Sequence, residues 1–198
     1  MITKIGIFYI PQAKTISFIK KIKHFFKKKC SNSQYLDHIV HVSIYVIEIN
    51  SNDLDSVLSE FRDLDKTFTS LISKIKGWKI FKNDIITKLN TLALELQISN
   101  DLEKLQISIA KKLVKYSLKD HSKQFNGTFK KSYKQWGYPF VGKHWIPHLT
   151  IGSLDISEKI IANYLEDSNY FKQPFIINNL HLYKIEKEKH TILEKIKF

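Results

Sequence analysis

Two rhythms of apolar and polar positions alternate along this chain. Residues 2–10, ITKIGIFYI, are Ile-rich and aromatic up to Pro11 and predict a buried strand. From 13 to 29 the period changes. Ile16, Ile19, Ile22 and Phe26 recur at helical spacing with Phe18 and Phe25 beside them, while Lys20, Lys21, Lys23, Lys27, Lys28 and Lys29 fill the other face. This predicts a basic amphipathic helix. Packing on a sheet is favoured over a membrane-surface role, because the neighbouring strands need covering. A polar loop at 31–37 leads to a β-branched strand at 39–49, a capping turn at 50–53 and a short helix ending near Leu64. Two strands, 67–75 and 78–82, are expected around Gly77.

The second half repeats this order. Residues 91–98 predict a strand, and Asn100 or Asp101 can cap a helix reaching Tyr116, with Leu102, Leu105, Ile109 and Leu113 along one face. A strand at 145–154, a helix capped by Asp155 or Ser157 and running to Asp167, and a closing hairpin of two strands follow. The recurring order predicts a single α+β domain of two pseudo-symmetric lobes, formed by halves of about 1–88 and 89–198. Each lobe would carry an antiparallel sheet, with helices outside and a central cleft. The stretch 117–144 breaks the repeat. It is polar and Lys-rich, punctuated by glycines and Pro139, and carries six interleaved aromatics from Phe125 to Phe140. It reads as a long functional loop inserted in the second lobe.

Composition sharpens this only in part. The 198 residues hold 32 Lys plus Arg against 19 Asp plus Glu, a formal charge of +13. Arg62 is the one arginine, so the guanidinium forks that suit a phosphate-binding surface are nearly absent. Abundant Ile, Asn and Lys also fit A/T-rich codons, and the charge alone does not choose between coding bias and a polyanionic partner. The single cysteine, Cys30, excludes a disulfide framework or a cysteine-built zinc site and suits a reducing compartment. No apolar run is long enough to span a bilayer and the N-terminus is not signal-like, which points to a cytoplasmic protein.

The chemistry lies in two short patterns. His41-Val42-Ser43-Ile44 and His148-Leu149-Thr150-Ile151 both read His, apolar, hydroxyl, apolar, and they occupy equivalent places in the repeated order. In a strand, positions i and i+2 share a face. His41 therefore stands with Ser43, and His148 with Thr150, while the apolar residues turn away. If the lobes face each other, the two polar pairs meet across one cleft. Two histidines straddling a phosphodiester can act as base and acid near neutral pH, and the hydroxyls can donate to its non-bridging oxygens. Such chemistry needs no metal or other cofactor, and no carboxylate or cysteine cluster is set up to hold one.

These motifs resemble the 2H phosphoesterase superfamily, which contains the RNA 2′,3′-cyclic phosphodiesterases historically called 2′-5′ RNA ligases. Its signature is one His-x-Thr/Ser-x motif per lobe. Pro147-His148-Leu149-Thr150 is similar to the Pro-His-hydrophobic-Thr form, and Ser43 is a variant where Thr is commoner. The resemblance covers the chain in element order and the two motifs at residue level; the 117–144 insertion lies outside it. It implies a phosphodiesterase with His41 and His148 catalytic and Ser43 and Thr150 on the phosphate. The implied substrate is a 2′,3′-cyclic phosphate, a 2′-5′ oligoadenylate or a cyclic (oligo)nucleotide. The alternative is a non-catalytic RNA- or nucleotide-binding protein on the same fold. No obligate protein partner is implied.

Further substrate contacts are candidates only. Tyr45, two residues past Ser43, is the first choice for stacking a base, against core packing. Trp145 stands at the edge of the second motif but with opposite parity to His148, which favours packing. Tyr9 and Tyr183 lie on strands of undetermined facing, and Lys143 and His144, which flank the second motif, could reach phosphate, although a solvated loop role is favoured. His24, His38, His121, His181 and His190 show no partner pattern.

Overall fold

The computed structural model describes residues 1–64, 68–166, 174–187 and 189–198. Ten strands and five α-helices are found among them: β1 Ile2–Tyr9, α1 Ala13–Lys27, β2 Ser33–Gln34, β3 Val42–Asn50, α2 Leu54–Arg62, β4 Leu71–Ser73, β5 Ile75–Phe81, β6 Asn90–Leu96, α3 Asn100–Leu113, α4 Gly127–Trp136, β7 His148–Leu154, α5 Glu158–Glu166, β8 Phe175–Ile177, β9 Asn179–Glu186 and β10 Lys189–Lys197. The expected strand at 67–75 starts, and the expected helix after 155 ends, on a residue outside the described ones.

The fold is a mixed one of helices on antiparallel sheet, as the element order implies. The main sheet runs β10-β9-β1-β3-β7-β6-β5, with β2 on β7, and β4 pairs with β8 separately. The lobes are not the two halves of the chain. One group of strands, β10-β9-β1-β3, joins the N-terminus to the C-terminus; the other, β7-β6-β5, joins the middle to the second motif. The reason is topological: after β8 the chain returns to pair β9 with β1, closing the first lobe with the last strands. A repeated element order therefore does not mark where one lobe stops.

One sheet face is covered by helices. Ile19, Ile22 and Phe26 of α1, Val57 and Phe61 of α2, and Leu102, Leu105 and Ile109 of α3 join Ile5, Ile7, Val42, Ile47, Leu94 and Leu149 of the strands in one core. At about 25 cal/mol per Å² of apolar area, such burial is the main favourable contribution to folding. The opposite face is concave and forms the cleft. The two groups of strands meet at a single pair, Val42 with Leu149.

The insertion is more ordered than a loop. Residues 127–136 form α4, which ends on Gly137 in the left-handed conformation (φ 67°). Gln106 of α3 ties the following segment down. Its fully buried amide donates to the carbonyls of Ile44 at 3.2 Å and Phe140 at 2.8 Å and accepts from the Gly142 N–H at 2.9 Å. The interleaved aromatics are thus a packed wall.

Candidate active site

Both motif strands carry the same irregularity. In β3, Ser43 pairs with Phe8 and Tyr45 with Ile7, leaving Ile44 as an extra residue. In β7, Thr150 pairs with Ala93 and Gly152 with Leu92, leaving Ile151 extra. Each is a β-bulge directly after the motif hydroxyl. A bulge shifts the in–out alternation by one and increases local twist. The pseudo-symmetry implied by element order therefore extends to single residues.

Register brings the motifs together. The strands run antiparallel about Val42 and Leu149, so one step either way sets His41 against Thr150 and Ser43 against His148. Directly opposed residues share a face. Val42 and Leu149 are buried toward the helices, and the four polar side chains line the cleft. His41 and His148 are diagonal neighbours, for which sheet geometry gives Cα atoms roughly 7–8 Å apart.

The imidazoles are held alike. His41 Nδ1 lies 2.9 Å from the Ile39 carbonyl oxygen, and His148 Nδ1 lies 2.7 Å from that of Ile146. A carbonyl only accepts, so both Nδ1 atoms carry hydrogen. In the neutral ring each Nε2 then keeps its lone pair. Each ring also has an aromatic neighbour: Phe8 stacks on His41 at 4.0 Å between centroids, and Phe81 lies 5.0 Å from His148. Gly6 makes room for the first stack, since a Cβ there would sit 2.4 Å from the Phe8 ring.

Electrostatics separate the pair. Burial pushes the His41 imidazole down to about 3 against the ring's Nδ1–H bond to Ile39, with His190, Lys23 and His148 pushing the same way as burial. Burial also lowers His148, but there the Ile146 hydrogen bond and the charges of Asp84 and Glu95 all pull upward. Lys23 and the neighbouring histidines oppose charge on His41, whereas the carboxylates of Asp84 and Glu95 favour it on His148.

The cleft measures about 550 Å³, within the usual range for small-molecule sites. Lys4, Lys23, Lys187 and His190 line it, as do Phe129, Tyr138, Phe140 and His144 from the insertion. The remaining sequence candidates divide. Tyr45 is in the core, 1% exposed, because the bulge at Ile44 reverses its parity; its hydroxyl donates to the Trp136 carbonyl, and Val46 takes the cleft position. Tyr9 is also core, with its hydroxyl on the Ile176 carbonyl at 3.1 Å. Tyr183 is buried behind Phe8 at 5.4 Å. Trp145 is packed at the cleft edge, and its indole N–H donates to the Ser43 carbonyl at 2.9 Å, bracing the first motif from the second. Lys143 is exposed and outside the cleft lining, where its neighbour His144 stands instead.

Sequence reasoning missed Phe8, Phe81, Lys23 and His190. For Phe8 the signal was Gly6 two positions earlier on the same face. For Lys23 it was the spacing, four residues after Ile19 and three before Phe26, which puts it on the buried stripe. Nothing in the sequence brings His190 to the cleft; the return of the C-terminal hairpin does.

A sequence model of the 2′-5′ RNA ligase superfamily matches residues 11–189. No curated protein shows a significant match. Among solved structures, TT0787 of Thermus thermophilus superposes with a TM-score of 0.66 at 10% identity, covering 98% of this chain and 97% of that one. Escherichia coli LigT complexed with 3′-AMP gives 0.57 at 10% identity, covering 100% and 98%. Usb1 of Kluyveromyces marxianus gives 0.53 at 13% identity, covering 100% and 98%. At these identities the likenesses speak to the fold.

Proposed function

The chain belongs to the 2′-5′ RNA ligase superfamily, the 2H phosphoesterases, and on that footing we propose that it is a phosphodiesterase working by two-histidine acid–base catalysis without a metal. Its substrate is a 2′,3′-cyclic phosphate, a 2′-5′ oligoadenylate or a cyclic (oligo)nucleotide. The observation that carries this reading is the mirrored pair of imidazoles, each tied through Nδ1 to the carbonyl two residues before it, on one face with two hydroxyls.

Burial and the neighbouring charges favour one division of the roles. His41, held neutral by burial with Lys23 and His190 acting the same way, is the base: its Nε2 takes a proton from water as the oxygen attacks phosphorus. His148, with Asp84 and Glu95 favouring its charged form, is the acid: its Nε2–H gives a proton to the leaving oxygen as the P–O bond breaks. Ser43 and Thr150 donate to the non-bridging oxygens, where charge builds up in the transition state. The phosphate's own charge raises both imidazole pKa values on binding, moving His148 toward the protonated form it needs.

The test is a panel of the three substrate types with the wild type, His41→Ala and His148→Ala, each with and without chelator. The expected result is hydrolysis of at least one type, unaffected by chelator and reduced about 10²–10⁴-fold by either substitution. Activity abolished by chelator, or untouched in both variants, refutes the mechanism. Nucleotide binding without turnover by the wild type would establish the non-catalytic alternative.

A further inference from the structure

Lys23 breaks the pattern of its helix. It sits within the stripe that α1 buries, beside Ile19, Ile22 and Phe26, and is 4% exposed. Its Nζ donates to the Tyr35 carbonyl oxygen at 2.6 Å, and the residue is part of the cleft lining. Tyr35 holds a left-handed backbone (φ 69°), an uncommon conformation for a bulky residue that aims this carbonyl at the lysine. An ammonium has three donors, and this carbonyl takes one. Asp37 is the carboxylate that acts on Lys23, but it is exposed and bonded to Lys27 at 2.7 Å. Burying a cation without a bonded carboxylate is costly, and burial brings its pKa down to about 8.

The surroundings add to this charge. The His190 ring lies 5.9 Å from His41 and 5.0 Å from His38, and Lys4 and Lys187 line the same cleft. Lys23 and His190 act on the charge of His41, whereas Asp84 and Glu95 act on His148. Lys82, the fourth lysine of the lining, stands on the second-motif side and is bonded to Glu158 at 2.8 Å, so three of the four lysines lie on the first-motif side. The scissile phosphate already has two hydroxyls and two imidazoles to receive it.

We propose that Lys23, together with His190 in the same cleft lining, forms a second anion subsite on the His41 side of the cleft that binds a substrate phosphate other than the one cleaved. This rests on the phosphodiesterase reading and narrows it. The preferred substrate carries two phosphates, either a nucleoside cyclic phosphate that is also 5′-phosphorylated or a linkage with a phosphate on the adjoining nucleotide. A bare mononucleoside 2′,3′-cyclic phosphate leaves the subsite empty.

The experiment compares matched pairs: adenosine 2′,3′-cyclic phosphate with and without a 5′-phosphate, and a 2′-5′ adenylyl dinucleotide with and without one. The readout is the ratio of kcat/KM within each pair for the wild type and Lys23→Met, a replacement whose shape suits the buried stripe. A charge-assisted contact predicts a wild-type ratio of about tenfold or more in at least one pair, collapsing toward unity in the variant. A wild-type ratio near unity in both pairs, or a ratio that survives the substitution, overturns the proposal. Equilibrium binding of adenosine 3′,5′-bisphosphate against 3′-AMP, to the folded protein whether or not it turns over, separates the two readings. Lys23-dependent preference for the bisphosphate without hydrolysis keeps the subsite and discards the enzyme. Equal affinities, unchanged by Lys23→Met or by Lys23→Gln, discard the subsite.

Discussion

Holding His41 neutral has a consequence for stability that can be measured without a substrate. In the unfolded chain this histidine takes up a proton near its ordinary 6.5; in the folded protein it does so only at about 3. Between those values the unfolded state binds a proton that the native state does not, so folding stability falls as pH falls. Integrating that difference from about pH 7 to about pH 5 gives a loss of about 2 kcal/mol from this group alone. The comparison is wild type against His41→Asn, whose amide N–H can replace the Nδ1–H donor to Ile39. Denaturant unfolding at a series of pH values gives both curves. His148 and His181, also lowered by burial, contribute to both proteins and cancel in the difference. The variant's curve should be flatter by about 2 kcal/mol across that interval, and inorganic phosphate should shrink the difference by raising the native pKa of His41. Curves that run parallel to within about 0.5 kcal/mol would mean that His41 charges freely in the folded state. The assignment of His41 as a base held neutral would then fall.

Gly6→Ala places a Cβ 2.4 Å from the Phe8 ring and 3.0 Å from Ile185 Cδ1, so Phe8 must leave its stack on His41; a stability loss of about 1–3 kcal/mol and a lower kcat are expected from thermal unfolding and kinetics. Tyr45→Phe removes the hydroxyl bound to the Trp136 carbonyl and should cost about 1–2 kcal/mol in chemical denaturation while leaving kcat/KM unchanged; a large selective loss with base-bearing substrates would reinstate Tyr45 as a stacking residue. Asp84→Asn removes a charge that raises His148. The protonated acid is then lost at lower pH, and the alkaline limb of the pH–rate profile should move down, with the acidic limb in place; an unmoved alkaline limb contradicts His148 as the acid.

Much of this site was legible in the two motifs, because strand parity is a short-range property that holds over His-x-Ser and His-x-Thr. It failed one step further, at Tyr45. An extra residue in a strand leaves no mark on composition or spacing; Ile44 looks like any inward position until its pairing with β1 is known. The lobes were misdivided for a related reason. Element order records which strands exist, while the sheet is built by pairing β9 with β1 across the whole length of the chain. In the insertion, the aromatics argued against a disordered loop, but their anchoring depends on Gln106, a polar residue inside an apolar helical stripe. Lys23 is the same kind of exception on α1. In both helices, a polar residue at a core position marked a contact that sequence periodicity treats as noise.

The two halves of the cleft share a backbone design and differ in their charges. Matching bulges, matching carbonyl anchors and opposed registers would by themselves give two interchangeable imidazoles, and interchangeable groups cannot be assigned as acid and base. What distinguishes them comes from outside the motifs: Lys23 from α1 and His190 from the C-terminal hairpin on one side, Asp84 from the β5–β6 loop and Glu95 from β6 on the other. Those elements differ between the lobes, so the asymmetry can change without disturbing the phosphate seat. The excess of positive charge over the whole chain then bears on function at a few points only. A lysine in solvent contributes a screened, nonspecific attraction, whereas Lys23, held out of water in the same cleft as His41, adds to the burial that keeps the base neutral and offers donors to an anion. That single buried lysine ties the basicity of the chain to its chemistry.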